Sequence, residues 1–255
     1  MKRILFVFIS SLFLSLHSMA QDEELFGKSN LVTKEGFVIT MNGNLDFPGA
    51  DMAKRFGTSY RFGPSVLYKT RSNWIGGAKF DFINGSNIRE DSLMVNILRD
   101  GGLLSQNGTR TEINIYERGY AVGLQAGKLF PISKKSQAST IMLLTTVGFM
   151  QHKIKIFDRD KAIPHIRDEY NKGYDRLTNG ILLEEFAGFN YFSNDGFLNF
   201  YIGLNVSAGF TRGRRDYQYD LMRADSDSRI DLLFGLRGGL HIPIFRRKSE
   251  EIYFK

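Results

Sequence analysis

The sequence predicts an all-β fold: an eight-stranded antiparallel up-and-down transmembrane β-barrel with short periplasmic turns and long external loops. Three observations predict it. Eight segments alternate between apolar and polar residues with a period of two, the signature of strands with one apolar face. The connections between them alternate between short and long, as the turns and loops of a transmembrane barrel do. The chain also opens on a secretory signal, yet holds no interior apolar run of the ~20 residues that a membrane-crossing helix needs.

At the N-terminus, Lys2 and Arg3 precede an apolar run from Ile4 to Leu16 and a small-x-small cleavage site, Ser18-Met19-Ala20. Residues 1–20 read as a signal peptide, 21–34 as a periplasmic leader and 35–255 as the barrel. The absence of cysteine removes disulfides, thiol catalysis, zinc-thiolate sites and a lipid-modified N-terminal cysteine. Membrane attachment then has to come from the fold itself. The formal charge of +7 falls to +5 once Lys2 and Arg3 leave with the signal. An exported chain rarely meets nucleic acid. Outer-membrane lipid and lipopolysaccharide phosphates are the expected partners, with most of the charge solvated in loops.

The last segment, Arg229–Ile244, is the clearest. Ile230, Leu232, Phe234, Leu236, Gly238, Leu240, Ile242 and Ile244 share one face, and Asp231, Leu233, Gly235, Arg237, Gly239 and His241 the other. Phe197–Gly213 repeats the pattern, with Leu198, Phe200, Ile202, Leu204 and Val206 against Asn199, Tyr201, Gly203, Asn205 and Ser207. A helical period of 3.6 would scramble both faces. The other six segments are placed at Glu35–Leu45, Ser59–Lys69, Asn73–Ile83, Arg110–Phe130, Ser139–Phe157 and Asn179–Phe192. The links Thr70 to Ser72, Pro131 to Ala138 and Ser193 to Gly196 read as tight turns. The links Asp46–Thr58, Asn84–Thr109, Asp158–Thr178 and Arg214–Ser228 read as long polar loops.

Alternation alone does not decide whether the apolar face points into a soluble barrel or out at lipid. The segments exceed the ~5–6 residues of an ordinary strand and suffice for the ~9–11 that cross a bilayer. The opposite faces are rich in glycine and charge, which suits the interior of a narrow barrel. Arg61, Lys79, Asp81, Glu184, Asp231 and Arg237 are the candidates for a polar network in that lumen. Aromatics beside the short turns, Tyr68, Trp74, Phe130, Tyr191 and Phe197, read as a girdle at the membrane interface. Eight strands enclose little more than their own side chains, so a wide aqueous pore is not expected.

The signal ending in Ala20 before Gln21, the eight-strand pattern and the closing run Leu-Phe-Gly-Leu-Arg-Gly-Gly-Leu-His-Ile-Pro-Ile (Leu233 to Ile244) resemble the small PorT-like outer-membrane barrels of the Bacteroidota. The tail Glu251-Ile252-Tyr253-Phe254-Lys255 departs from a terminal strand ending on an aromatic. The resemblance implies an outer-membrane location in a superfamily whose members mostly have no assigned activity. Some of them serve protein secretion or gliding, a role that attaches to no particular residue.

No catalytic constellation stands out, and neither a metal nor a cofactor is expected. Outer-membrane lipid-modifying enzymes pair a serine with a histidine base. Here His152, near the outer end of the fifth strand, and His165, in the third long loop, are the candidates, but no motif ties either to a serine. Asp158-Arg159-Asp160 and Asp225-Ser226-Asp227 lack the oxygen-ligand set of a calcium loop. Arg212-Gly213-Arg214-Arg215 could hold lipid phosphates or anchor a strand end. The apolar run Asp91–Leu98 is expected to be a short helix or hairpin extension on the barrel mouth, or a docking surface for another envelope protein.

Overall fold

The computed structural model describes residues 35–98, 103–111, 113–133, 136–158, 163–193 and 198–245. The expected signal peptide, leader and C-terminal tail lie outside them. Eight strands form one closed antiparallel barrel: β1 (Gly36–Gly49), β2 (Ser59–Lys69), β3 (Trp74–Gly85), β4 (Asn114–Ser133), β5 (Ser136–Phe157), β6 (Thr178–Phe192), β7 (Asn199–Gly213) and β8 (Ser228–Phe245). Each strand pairs with its neighbours in sequence. The ring closes where β1 meets β8, from Gly36 opposite Phe245 to Gly49 opposite Leu232. Closure leaves no sheet edge, which hydrocarbon requires because it offers backbone groups no other partner.

The surface is inverted relative to a soluble barrel. Leu124 is 72 % exposed, Leu204 65 % and Ile242 62 %, while Arg61, Asp81, Glu184 and Asp231 are fully buried. Alternation continues along β2, where Tyr60, Phe62, Val66 and Tyr68 face out and Arg61 and Ser65 face in. A soluble barrel with an apolar interior is excluded by this arrangement. In β6 the adjacent pair Glu184-Glu185 divides between the faces: Glu184 points into the lumen, and Glu185 faces outward and accepts a hydrogen bond from Thr145 Oγ1 at 3.0 Å. On the lumen side, glycine makes room for large residues. A Cβ at Gly239 would stand 2.6 Å from the ring of Tyr201.

Two strand assignments need correction. The expected strand Arg110–Phe130 is two elements: Arg110–Thr111 pairs with Leu103–Leu104 in a loop hairpin, and the barrel strand begins at Asn114. Leu103 is buried against the loops, and that packing takes its hairpin out of the wall. The first strand also runs beyond Leu45, so Asp46 belongs to the wall and not to a loop. The expected turn from Pro131 is shorter, because β4 continues to Ser133 with a register shift after Pro131, which has no N–H to donate. The β2–β3 turn is tight: Thr70 N–H donates to Trp74 O at 2.8 Å and Asn73 takes a left-handed φ of 64°, which asparagine tolerates.

β5 has 22 residues. At ~3.3 Å per residue and a tilt of ~40°, a strand of that length reaches roughly 55 Å along the axis, about twice the ~25 Å apolar band. The surplus projects on the long-loop side, because the outward apolar run Ile141, Leu143, Val147 and Phe149 gives way to Gln151, Lys153 and Lys155. Substituting arginine for Leu204, in the middle of the lipid-facing wall, is expected to destabilise the barrel by ~2–4 kcal/mol. Reversible denaturant unfolding in lipid vesicles measures it, and an unchanged midpoint would place that wall outside the bilayer.

Candidate functional site

The lumen is filled at three levels, and each is positioned by the inward residues of strands adjacent in the ring. At the centre, Arg61 on β2 donates from Nε and Nη2 to Asp46 at 2.6 and 2.9 Å and from Nη1 to Glu184 at 2.7 Å. Glu184 also accepts from Lys79, from Arg237 Nη1 at 3.1 Å and from Ser207 Oγ at 2.8 Å. Lys79 stands 2.7 Å from Asp81. Arg237 Nε donates to the Tyr201 hydroxyl at 2.9 Å, which donates to Asn42 at 2.6 Å. Three cations thus face three carboxylates, all buried. Asp46, Ser207, Asn42 and Tyr201 belong to this network although none was among the candidates; the alternation Asn42, Asn44, Asp46 against Met41, Leu45, Phe47 was the available signal.

Below it, towards the short turns, His241 lies between the rings of Phe192 and Tyr201, with centroids 5.1 and 5.0 Å away. Its Nδ1 is 2.8 Å from Thr40 Oγ1 and its Nε2 is 2.9 Å from Asn190 Oδ1. The void at this level, between Val38, Ile75, Leu129 and His241, measures about 10 Å³, no more than one water occupies.

Above the central network sits Asp231, apart from the other five lumen candidates. His152 Nε2 is 3.0 Å from Asp231 Oδ2, Thr211 donates to the same oxygen at 2.5 Å, and Arg55 Nη2 approaches Oδ1 at 3.6 Å. Arg55 follows the one-turn helix α1 (Ala50–Ala53), and Phe56 covers His152 edge-on at 5.3 Å. Burial lowers the Arg55 guanidinium from its usual pKa, and the Asp231 carboxylate opposes that shift. His152 is fully buried in the lumen, so it offers no base to a lipid at the outer wall. His165 lies in the 3-10 turn Pro164–Ile166.

The long loops close the mouth. Met52, Phe56, Leu93, Met94, Ile163 and Tyr174 pack as one apolar cluster with the wall residues Ile154 and Leu182. The run Asp91–Leu98 contributes Leu93 and Met94 as a series of turns, not the expected helix or hairpin, and Met94 N–H is fixed by Asp220 at 2.9 Å. Arg176 donates to Gln218 at 2.8 Å and Asp220 at 2.7 Å, and Arg215 clasps Asp175 through two bonds of 2.8 and 2.6 Å. The hydrogen bond to Asp175 raises the Arg215 pKa above its usual value. Asp225 is held by Arg229 and Asp158 by Ile163 N–H at 2.9 Å. Arg159 and Asp160 lie outside the described residues. Among the described residues no group of three or more His, Asp or Glu side chains could hold a metal ion.

The candidate aromatics near the short turns sit on the outer wall. Tyr68 packs edge-on against Phe37 at 5.2 Å, Tyr191 lies tilted against Phe200 at 5.8 Å, and Lys128 Nζ lies 5.4 and 5.6 Å from the rings of Trp74 and Phe130. Phe197 is outside the described residues. Replacing Arg61 by methionine leaves the buried Asp46 without its bidentate partner and is expected to cost ~3–5 kcal/mol of stability. Urea unfolding of the folded barrel tests this; a loss below about 0.5 kcal/mol, within the range of ordinary surface substitutions, would mean that water reaches the pair.

No family model and no curated protein matches the chain. Among solved structures it is similar to Neisserial surface protein A, at 10 % identity and a TM-score of 0.47, over 83 % of this chain and 99 % of that one. It is similar to Ail, the attachment invasion locus protein of Yersinia pestis, at 14 % identity and 0.41, over 81 % and 99 %. A major outer membrane protein from Thermus thermophilus follows at 11 % and 0.40, over 80 % and 98 %. Apolar outside, charged inside and closed without an edge, the chain is by its own surface an eight-stranded outer-membrane β-barrel.

Proposed function

We propose that the protein is a non-catalytic envelope barrel that acts by contact, presenting its loop cap to another envelope component in secretion or surface assembly, the setting that the PorT-like resemblance implies. The observation that carries this reading is the contrast between a filled lumen and an open cap surface. Three stacked levels of side chains occupy the lumen, and ion pairs tie the loops into one cap. That cap leaves Tyr170, Tyr217, Met222 and Val95 exposed, around a cleft of about 540 Å³ lined by Asn96, Ile97, Tyr170, Tyr174, Tyr219 and Met222. Exposed apolar and aromatic side chains gathered in one place mark contact surfaces more often than they mark nothing.

A photo-crosslinking residue at Tyr170 or Met222 is expected to trap one envelope protein in intact cells, and the same residue at Leu240 on the lipid wall is expected to trap none. Absence of any adduct from the cap, in cells whose barrel shows a heat-shifted gel band, would remove the contact role. The enzymatic reading makes a separate demand: His152→Ala would have to alter the phospholipid or lipid A profile. The expected result is an unchanged profile, read by mass spectrometry of extracted lipid. Planar-bilayer recordings are expected to be silent, and steady single-channel currents would replace the contact role with a pore.

A further inference from the structure

Asn171 and Asp175 of the third long loop meet the outer wall over β3, β4 and β5. A groove of about 570 Å³ opens there, lined by Phe62, Phe82, Arg118, Lys153, Lys155 and Asn171. Its floor and roof differ in chemistry. Phe62 and Phe82 are half-exposed residues of the lipid-facing wall, paired across β2 and β3. One step outward along the same strands, Asn84 pairs with Arg118 and Arg118 with Lys153, and the next step pairs Tyr116 with Lys155. The groove therefore begins in the apolar band and ends in a basic cluster at the height of the headgroups.

Among the described residues, one shared carboxylate, Asp175, is the ion-pair partner found for this cluster. Arg118 is aimed by Asn84, by a bond to Glu117 O at 2.8 Å and by the Tyr116 ring 4.7 Å from its guanidinium carbon. Lys153 stands 3.6 Å from Asp175, whose two oxygens Arg215 already holds. Lys155 makes no ion pair among the described residues. Arg212 and Arg214, the residues that the sequence marked for phosphate, donate their Nε groups to Ser226 O at 2.7 Å and Asn179 Oδ1 at 2.6 Å and do not line this groove.

We infer that this groove binds a phosphorylated lipid of the outer leaflet, its phosphate held by Arg118, Lys153 and Lys155 and its acyl chain lying along Phe62 and Phe82. A guanidinium fork with two ammonium groups is the arrangement that holds a phosphate through charge-assisted hydrogen bonds. The lipid is the source, not free phosphate, because the floor lies in hydrocarbon and would have no use for a dissolved anion. The inference rests on the barrel's membrane placement but not on the contact role of the cap.

The test uses the full folded chain in phosphatidylcholine nanodiscs doped equally with bis-phosphorylated lipid A and its dephosphorylated form. Native mass spectrometry counts the lipids retained on the released protein. The wild type is expected to prefer the phosphorylated form by roughly tenfold, and R118Q/K153Q/K155Q to fall below about twofold. R212Q/R214Q is expected to keep the wild-type preference. Equal retention of both lipids by the wild type, or full preference in the triple variant, overturns the site. Loss of the preference in excess inorganic phosphate overturns the lipid and leaves an anion site only. A heat-shift gel reports barrel integrity separately from lipid retention. If the triple variant lacks the shift, the exposed single variant K155Q carries the test, with an expected drop of about two- to threefold; no drop overturns the site.

Discussion

Glu184 is a fully buried carboxylate at the centre of a narrow tube. Isolated there, it would be too costly to keep; it persists because Lys79, Arg61 and Arg237 converge on it from three other strands. Each of those cations has a second obligation, Lys79 to Asp81, Arg61 to Asp46 and Arg237 to the Tyr201 hydroxyl. The network therefore joins β1, β2, β3, β6, β7 and β8 through side chains at one level of the barrel. The backbone ladder holds neighbours together; these charges hold strands on opposite sides of the lumen. That cross-bracing is why the tube is a solid plug at mid-height, and why the cap above rests on a fixed floor.

The outer end depends on that floor in a different way. The wall rises beyond the apolar band, and the raised collar encloses loop residues that a flush barrel would expose. Met52 and Phe56 descend into the collar, and Arg55 takes the pairing that Asp231 needs. Above them, Arg176 and Arg215 lock the third and fourth loops to each other and to Ser92 of the second, whose hydroxyl accepts from Arg176 Nη2 at 3.2 Å. The result is a folded lid built from segments whose polarity resembles that of loops drifting in water.

Much of this architecture was legible in the sequence, because a strand with lipid on one side and lumen on the other writes a period of two into its residues. Arg61, Lys79, Glu184 and Arg237 could be placed on the inner face by counting. What counting could not supply was who meets whom. Asp46 looked like the first residue of a loop, although the alternation continuing through Asp46 and Phe47 is the local trace of a β1 that runs to Gly49. The cap was illegible for a related reason: Leu93 and Met94 are buried in a cluster drawn from other loops and the wall, with Met94 N–H held by Asp220 126 positions on, and no local pattern records that. The basic cluster around Arg118 escaped notice because it exists only through register, which sets Arg118 beside Lys153 across a hairpin of some forty residues.

The seam between β1 and β8 has a consequence for how the molecule comes to exist. Thr40 and His241, neighbours in the finished lumen, are separated by 201 positions, and Asn42 and Tyr201 by 159. The hairpins β2–β3, β4–β5 and β6–β7 can each form from nearby chain, but the ring cannot close before the last strand is made. Until then the inner face, with its unpaired arginines and carboxylates, lies along an open sheet that hydrocarbon would reject at several kcal/mol per group. Insertion and closure are thus one event. A chain cut short before β8 forfeits the membrane altogether, whatever share of its lipid-facing surface it still carries.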